Sequence, residues 1–193
     1  MSPVSHFLIG WLTANAIGVA HRERLLITVA GIAPDVDGLG IIGDYVTRTS
    51  ASPLHWWGDY HHVLGHNISF GICLAAVSFF LAKQQKGVTV LFVLISFHLH
   101  LLCDLLGSRG PDGYQWPIPY LLPFSKAWSW TWQGQWALNA WPNLLITLLA
   151  MGLTCYLAWL RAYSPLGLIS RKIDEQFVAA LRLRFGKPDK QSL

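Results

Sequence analysis

Residues 88–106 read VTVLFVLISFHLHLLCDLL. The run is close to the ~20 apolar residues that carry a helix across a bilayer. It nevertheless holds His98, His100 and Asp104 toward one end. Ionisable groups inside a span are costly, and they mark function more often than packing. His100 and Asp104 stand four residues apart, so one helix face presents both and they can grip one ion. His98 precedes His100 by two residues and points elsewhere.

Working outward, further apolar blocks cover residues 63–82 and 137–160, with two shorter ones at 3–20 and 25–43. Hydrophobic residues make up 53% of the 193-residue chain and charged residues only 12%, about half the share usual in soluble domains. The pattern predicts an all-α, polytopic membrane bundle of about five spans. Residues 1–160 form its membrane-embedded domain and residues 161–193 a basic cytoplasmic tail. No basic residue precedes the first block and no clean small-residue cleavage site follows it, so no cleavable signal is expected. Cys73, Cys103 and Cys155 lie inside apolar blocks without paired spacing and read as small buried hydrophobes.

The charge of +4 is explained by topology rather than by nucleic acid. Lysine and arginine concentrate on the cytoplasmic side. Arg22 and Arg24 follow the first block, Lys83 and Lys86 lie between the third and fourth, and Arg161, Arg171, Lys172, Arg182, Arg184, Lys187 and Lys190 follow the fifth. These are 11 of the 14 basic residues. Only Arg48, Arg109 and Lys126 fall opposite. The expectation is a multi-pass protein of the bacterial inner membrane with its N-terminus outside and its C-terminus in the cytoplasm. Residues 107–136 then form an outside loop with Trp116, Trp128, Trp130, Trp132 and Trp136. It reads as an interfacial aromatic belt or, compatibly, as the wall of a lipid-binding cleft. In the tail, Ile173, Phe177, Leu181 and Phe185 recur every four residues between basic side chains. That is a basic amphipathic helix suited to anionic lipid, with a plain solvated tail as the alternative.

Depth organises the polar residues. At ~1.5 Å per residue, His6 lies ~24 Å above Arg22 and His66 ~25 Å above Lys83. His100 and Asp104 lie ~21 and ~27 Å above Lys86, and Asp35 and Asp37 ~16 and ~20 Å above Arg24. Different segments thus deliver these groups to a similar level in the outer leaflet. Pro34 interrupts the second block just before Asp35 and Asp37, which places two carboxylates at a helix end. His61 and His66 bracket the entry to the third block. Histidine and carboxylate without cysteine suit zinc, or manganese or iron. The expected ligands are His6, Asp35, Asp37, His66, His100 and Asp104, with His61 as a seventh, holding one to three divalent ions. Asp37 and His61 are the candidate catalytic groups, Asp37 as a general base. Arg109 and His62 are candidate substrate contacts. His21, His55 and His98 read as packing histidines, and Asp44, Asp59 and Asp112 as loop acids.

These motifs resemble the YdjM-like family of inner-membrane metal-dependent hydrolases. Ser5-His6-Phe7 is similar to its N-terminal histidine, and Ala33-Pro34-Asp35-Val36-Asp37 to its Leu-Pro-Asp-Ile-Asp motif. His61-His62-Val63-Leu64-Gly65-His66 resembles its His-Arg-Gly-x-Thr-His motif. His100-Leu101-Leu102-Cys103-Asp104 resembles its His-x-x-x-Asp helix, and Leu122-Pro123-Phe124-Ser125 the Pro-Phe-Ser segment that follows. The chain departs at His62, where arginine is usual, and at Gly65, where threonine is usual. Both departures spare the ligands and bear on substrate contacts. The family is also distantly similar to zinc-dependent phospholipase C, which implies a phosphoester substrate.

The resulting expectation is a metal-dependent hydrolase acting on a phosphoester or phospholipid at the outer leaflet, with membrane lipid as solvent and substrate and no nucleic-acid partner. Two rivals stand beside it. A transporter or proton conductor predicts polar groups strung through the full depth, whereas the cytoplasmic half of the spans is almost free of them. A structural or stress-response membrane protein would use the metal only to hold helices together.

Overall fold

The computed structural model describes residues 1–110 and 112–188. Lys190, counted above among the basic residues, lies outside them. Pro3 in the first turn and the Ser2 side chain, which accepts from the Ser5 amide at 3.2 Å, start α1 (Pro3–Ala14). A turn leads into α2 (His21–Ala30). Pro34 has no amide hydrogen and ends the α-helical ladder. The chain winds through a tight 3-10 helix, Ala33–Leu39, into α3 (Gly40–Thr47), and the segment Ala33–Thr47 is bent by 50° from α2. After the short α4 (Trp56–Tyr60), Asn67 Oδ1 accepts from the Phe70 amide at 3.0 Å and opens α5 (Ile68–Leu81). Then come α6 (Lys86–Gly107) and α7 (Trp141–Arg161), which stops at Ala162 in the left-handed region (φ 61°). A 3-10 turn, Pro165–Leu168, precedes α8 (Arg171–Phe185). Among the described residues the β-structure is limited to two isolated bridges, Arg109 with Ala137 and Ile118 with Trp130.

Helix α6 is the axis. Helices α1, α2 and α5 pack on it, and α1 also contacts α7. Val93, Phe97 and Leu101 on α6 are fully buried. Val93 meets Ala14, Ile27 and Ala30, while Phe97 and Leu101 meet Ile118. The crossing of α1 and α2 is close because both sides are glycine. A Cβ on Gly31 would lie 2.9 Å from Gly10 Cα and 2.9 Å from Ser96 Oγ.

The five expected spans become two, or three if the bent pair counts as one. Among the described residues, only α6 and α7 are long and apolar enough on their own. At 22 and 21 residues they reach ~33 and ~32 Å. The first block stops as a 12-residue helix, and residues 63–67 of the third are loop, leaving a 14-residue helix. The chain still passes five times between two ends, but α1 and α5 are too short to cross alone. Apolar side chains face outward along α3, α5 and α7, among them Ile42, Val46, Phe80, Leu144, Leu148 and Leu149. Such a surface suits lipid rather than water. Cys73 joins it: it is exposed on α5, contrary to its reading as a buried hydrophobe, while Cys103 is buried.

The two ends differ. Glu23 Oε1 accepts from the Lys83 and Gln84 amides (2.9 and 3.0 Å), which ties the start of α2 to the α5–α6 turn. Arg161 donates to Asn15 O at 2.8 Å, and Arg24 lies over the Tyr163 ring at 4.3 Å. Arg22, Arg24, Lys83, Lys86 and Arg161 therefore share one end, opposite His6, His66, His100 and Asp104. Helix α8 starts at this basic end and packs against α7. Ile173 and Phe185 of its stripe remain exposed, and Arg182 donates to the carbonyls of Trp159 and Leu160.

Gly31→Val overpacks the α1–α2–α6 crossing and is expected to cost about 1–3 kcal/mol. It should lower the melting temperature in detergent by roughly 2–4 °C for each kcal/mol. Gly152→Ala on α7, where a Cβ would meet nothing within 4 Å, should leave it unchanged or slightly raised. Equal melting of both variants would show that the crossing is loose.

Candidate metal centre

Asp104 lies on the last full turn of α6, 1% exposed. Its Oδ2 stands 3.0 Å from His100 Nε2 and 3.3 Å from His66 Nε2, and those two nitrogens are 3.0 Å apart. The ring tautomers follow from what lies behind them. His100 Nδ1 is 2.8 Å from the Gly31 carbonyl, which only accepts, so Nδ1 carries the proton. His66 Nδ1 is 3.1 Å from Asp37 Oδ2, likewise an acceptor. Both Nε2 atoms therefore present lone pairs to each other and to a carboxylate oxygen. Three acceptors at hydrogen-bond distance repel unless a cation, or an added proton, sits among them.

Helix α1 adds His6, whose Nε2 is 3.1 Å from Asp104 Oδ1 and whose ring stacks on His100 at 3.8 Å. The Pro34 turn adds Asp35, with Oδ1 at 3.8 Å from His100 Nε2 and Oδ2 buried without a partner. Donor atoms of His6, Asp35, His100 and Asp104 all lie within 4.8 Å of one another, as do those of His62, His66 and Asp104. Two donors of one zinc at ~2.0–2.1 Å lie roughly 3–4 Å apart, so the separations of 3.0–3.8 Å fit an ion. Among the described residues no lysine or arginine pairs with these carboxylates; the one ion pair outside the cluster is Arg171 with Glu175. The Met1 amino group and the Ser108 hydroxyl both donate to Asp104 Oδ1.

Asp37 and His61 stand one layer behind. Asp37 Oδ1 accepts from His61 Nδ1 at 2.9 Å, and Oδ2 accepts from the Gly65 amide at 2.9 Å and from His66. Both oxygens are thus committed to holding the loop and its rings. His61 stacks on Trp57 at 5.2 Å and faces a cavity of about 410 Å³. That cavity is also lined by Asp35, His62, Ser108, Arg109 and Trp116. It opens beside the donor cluster, and Trp116 packs edge-on to Trp57 as its aromatic wall. Arg109 is placed at the rim by its backbone, which pairs with Trp136 O (3.1 Å) and the Leu138 amide (3.1 Å).

His98 is elsewhere, bonded to Leu94 O and Tyr120 Oη, and His55 is exposed. His21 lies at the basic end, near Gly167 O. Asp44 caps α4 by accepting from the Trp56 and Trp57 amides. Sequence reading missed Ser108, the Gly31 carbonyl, Trp57 and Gln135. Ser108 follows Asp104 by four residues, the spacing that pairs side chains on a helix. Gln135 is buried and donates to the Asp104 carbonyl at 2.9 Å. The roles of Gly31 and Gln135 have no signature in the order of side chains.

No curated protein and no solved structure matches the chain. A family model described as YdjM inner membrane protein matches residues 1–176. Covering most of the chain and every residue of the donor cluster, that match places this protein in the YdjM family of inner membrane proteins.

Proposed function

We propose that the chain is a membrane-bound, metal-dependent hydrolase of a lipid-borne phosphoester, working at the outer leaflet. The observation that carries this reading is the meeting of His66 Nε2, His100 Nε2 and Asp104 Oδ2 as three lone-pair donors within 3.3 Å of one another. They lie beside a cavity open to one end of the bundle. His6, Asp35, His66, His100 and Asp104 would hold metal there, and the donor set favours zinc, with manganese or iron also compatible. When bound, the ion supplies Lewis-acid polarisation of a phosphoryl oxygen and acidifies a water.

The chain's own residues supply the rest. Asp37 fixes His61 through Nδ1, which leaves Nε2 as the atom able to take or return a proton on the cavity side. In this arrangement Asp37 acts as a positioning residue. Arg109 offers a guanidinium to a phosphate at the rim. Trp57, Tyr114 and Trp116 give the cavity apolar walls against water, and all three are residue types that sit well at the headgroup level. The outer-leaflet placement follows from the opposite end, where Arg22, Arg24, Lys83, Lys86 and Arg161 gather. Confinement of the donors to one end speaks against an ion pathway.

Detergent-purified wild type should carry tightly held metal and release phosphate-bearing headgroups from phospholipid micelles, followed by phosphorus NMR. Asp104→Asn and His100→Ala should lose both. Asp37→Asn should keep the ion at saturation but weaken its affinity by roughly 10–100-fold, as expected when a ligand histidine loses its orienting carboxylate. Arg109→Ala should raise KM more than it lowers kcat. A metal-loaded wild type that leaves phospholipids and lipid phosphates intact, as its ligand variants do, would sink the catalytic reading and leave a structural ion.

A second test separates orientation from chemistry. A cysteine at the Trp128 position, which is well exposed in the aromatic loop, should react with a membrane-impermeant maleimide in intact cells. One at Lys187 should react only after lysis. The reverse pattern would overturn the outer-leaflet placement.

A further inference from the structure

His62 has a backbone that L-residues rarely adopt, with φ at +64°. The αL region costs such residues about 1–2 kcal/mol, and strain of this kind persists only where surroundings enforce it. The surroundings here are specific. The Val63 and Leu64 amides both turn back to Tyr60 O, at 2.9 and 3.3 Å. Gly65 lies so close to Pro34 that a Cβ there would stand 2.2 Å from the Pro34 carbonyl oxygen. The Gly65 amide is held by Asp37. Pinned at both sides, the loop turns the His62 imidazole inward, 4% exposed, stacked on His66 with centroids 4.3 Å apart and planes at 17°.

Once inside, the ring has little to hold. His62 Nδ1 is buried and has no partner. His62 Nε2 aims at Asp104 Oδ2 from 3.9 Å, beyond hydrogen-bond reach. Burying an unsatisfied imidazole costs free energy, and the turn that buries it adds strain. The gap that is too long for a hydrogen bond lies within the roughly 3–4 Å that two donors of one ion span. His66 Nε2 and Asp104 supply the other donors, all three within 4.8 Å.

We infer that His62, His66 and Asp104 form a second divalent-cation position, so that the Asp104 carboxylate is shared between two ions. The inference rests on the first position, built from His6, Asp35, His100 and Asp104, holding an ion itself. Placed where His62 also lines the cavity, the second ion would face the same substrate phosphate. Paired ions of this kind flank both oxygens of an in-line displacement.

The test is metal stoichiometry on the full chain in detergent, loaded with manganese or zinc, desalted and measured by elemental analysis. Wild type should hold two ions and His62→Arg one, since a guanidinium cannot ligate. Manganese-loaded wild type should also give the exchange-coupled electron paramagnetic resonance spectrum of a bridged pair, and His62→Arg that of isolated ions. His62→Asp, a ligand type that like histidine is enriched at positive φ, should restore the second ion. One uncoupled ion in wild type would overturn the inference while leaving the first position intact. Two ions retained in His62→Arg would remove His62 from the site. No ion in wild type would overturn both readings together.

Discussion

A carboxylate buried among imidazoles, with the Met1 amino group beside it and, among the described residues, no lysine or arginine to balance it, is the constraint on which the structure turns. Asp104 is carried by the longest helix, and the other elements can be described by what they bring to it. Helix α1 brings His6, the Pro34 turn brings Asp35 and Asp37, and the loop before α5 brings His61, His62 and His66. Each contribution would be unfavourable alone: a desolvated acid, a broken helix, a strained loop. On the proposed reading a cation would make them compatible, because metal binding would then add to folding free energy.

Much of this geometry was readable before any coordinates. The helix rise anticipates the meeting of the donor groups on a continuous helix only for His100 and Asp104, which share α6 with Lys86; His6 is parted from Arg22 by the turn after Ala14, and His66 precedes α5. The His100–Asp104 pair came from four-residue spacing, and the same reasoning would have reached Ser108. The family resemblance and the family match agree over the region that holds these residues. The number of crossing helices was not readable, because apolar composition does not show where a helix stops. Residues 63–67 run without a break into the apolar block that follows, yet they serve as a loop whose backbone turns back on Tyr60 and whose Gly65 amide binds Asp37.

The roles of Asp37 and His62 were less legible for different reasons. Asp37 is a good ligand by type and position. Only the coordinates show that both of its oxygens are occupied by His61, His66 and the Gly65 amide. His62 looked like a departure bearing on substrate, since arginine is usual there. Its positive φ belongs to a loop held by Tyr60 O, by Asp37 and by the close approach of Gly65 to Pro34. Such crowding is a property of two segments meeting in space.

Gly31 joins two properties usually treated apart. Its lack of a side chain lets α1, α2 and α6 touch, and its carbonyl accepts the Nδ1 proton of His100. The distance between two helices and the proton inventory of an imidazole are therefore set at one residue. A change that merely spread the helices would release that proton's anchor and free the ring to present its other nitrogen. Mechanical looseness in the bundle would then register as a changed tautomer at the donor cluster, without any ligand having been replaced.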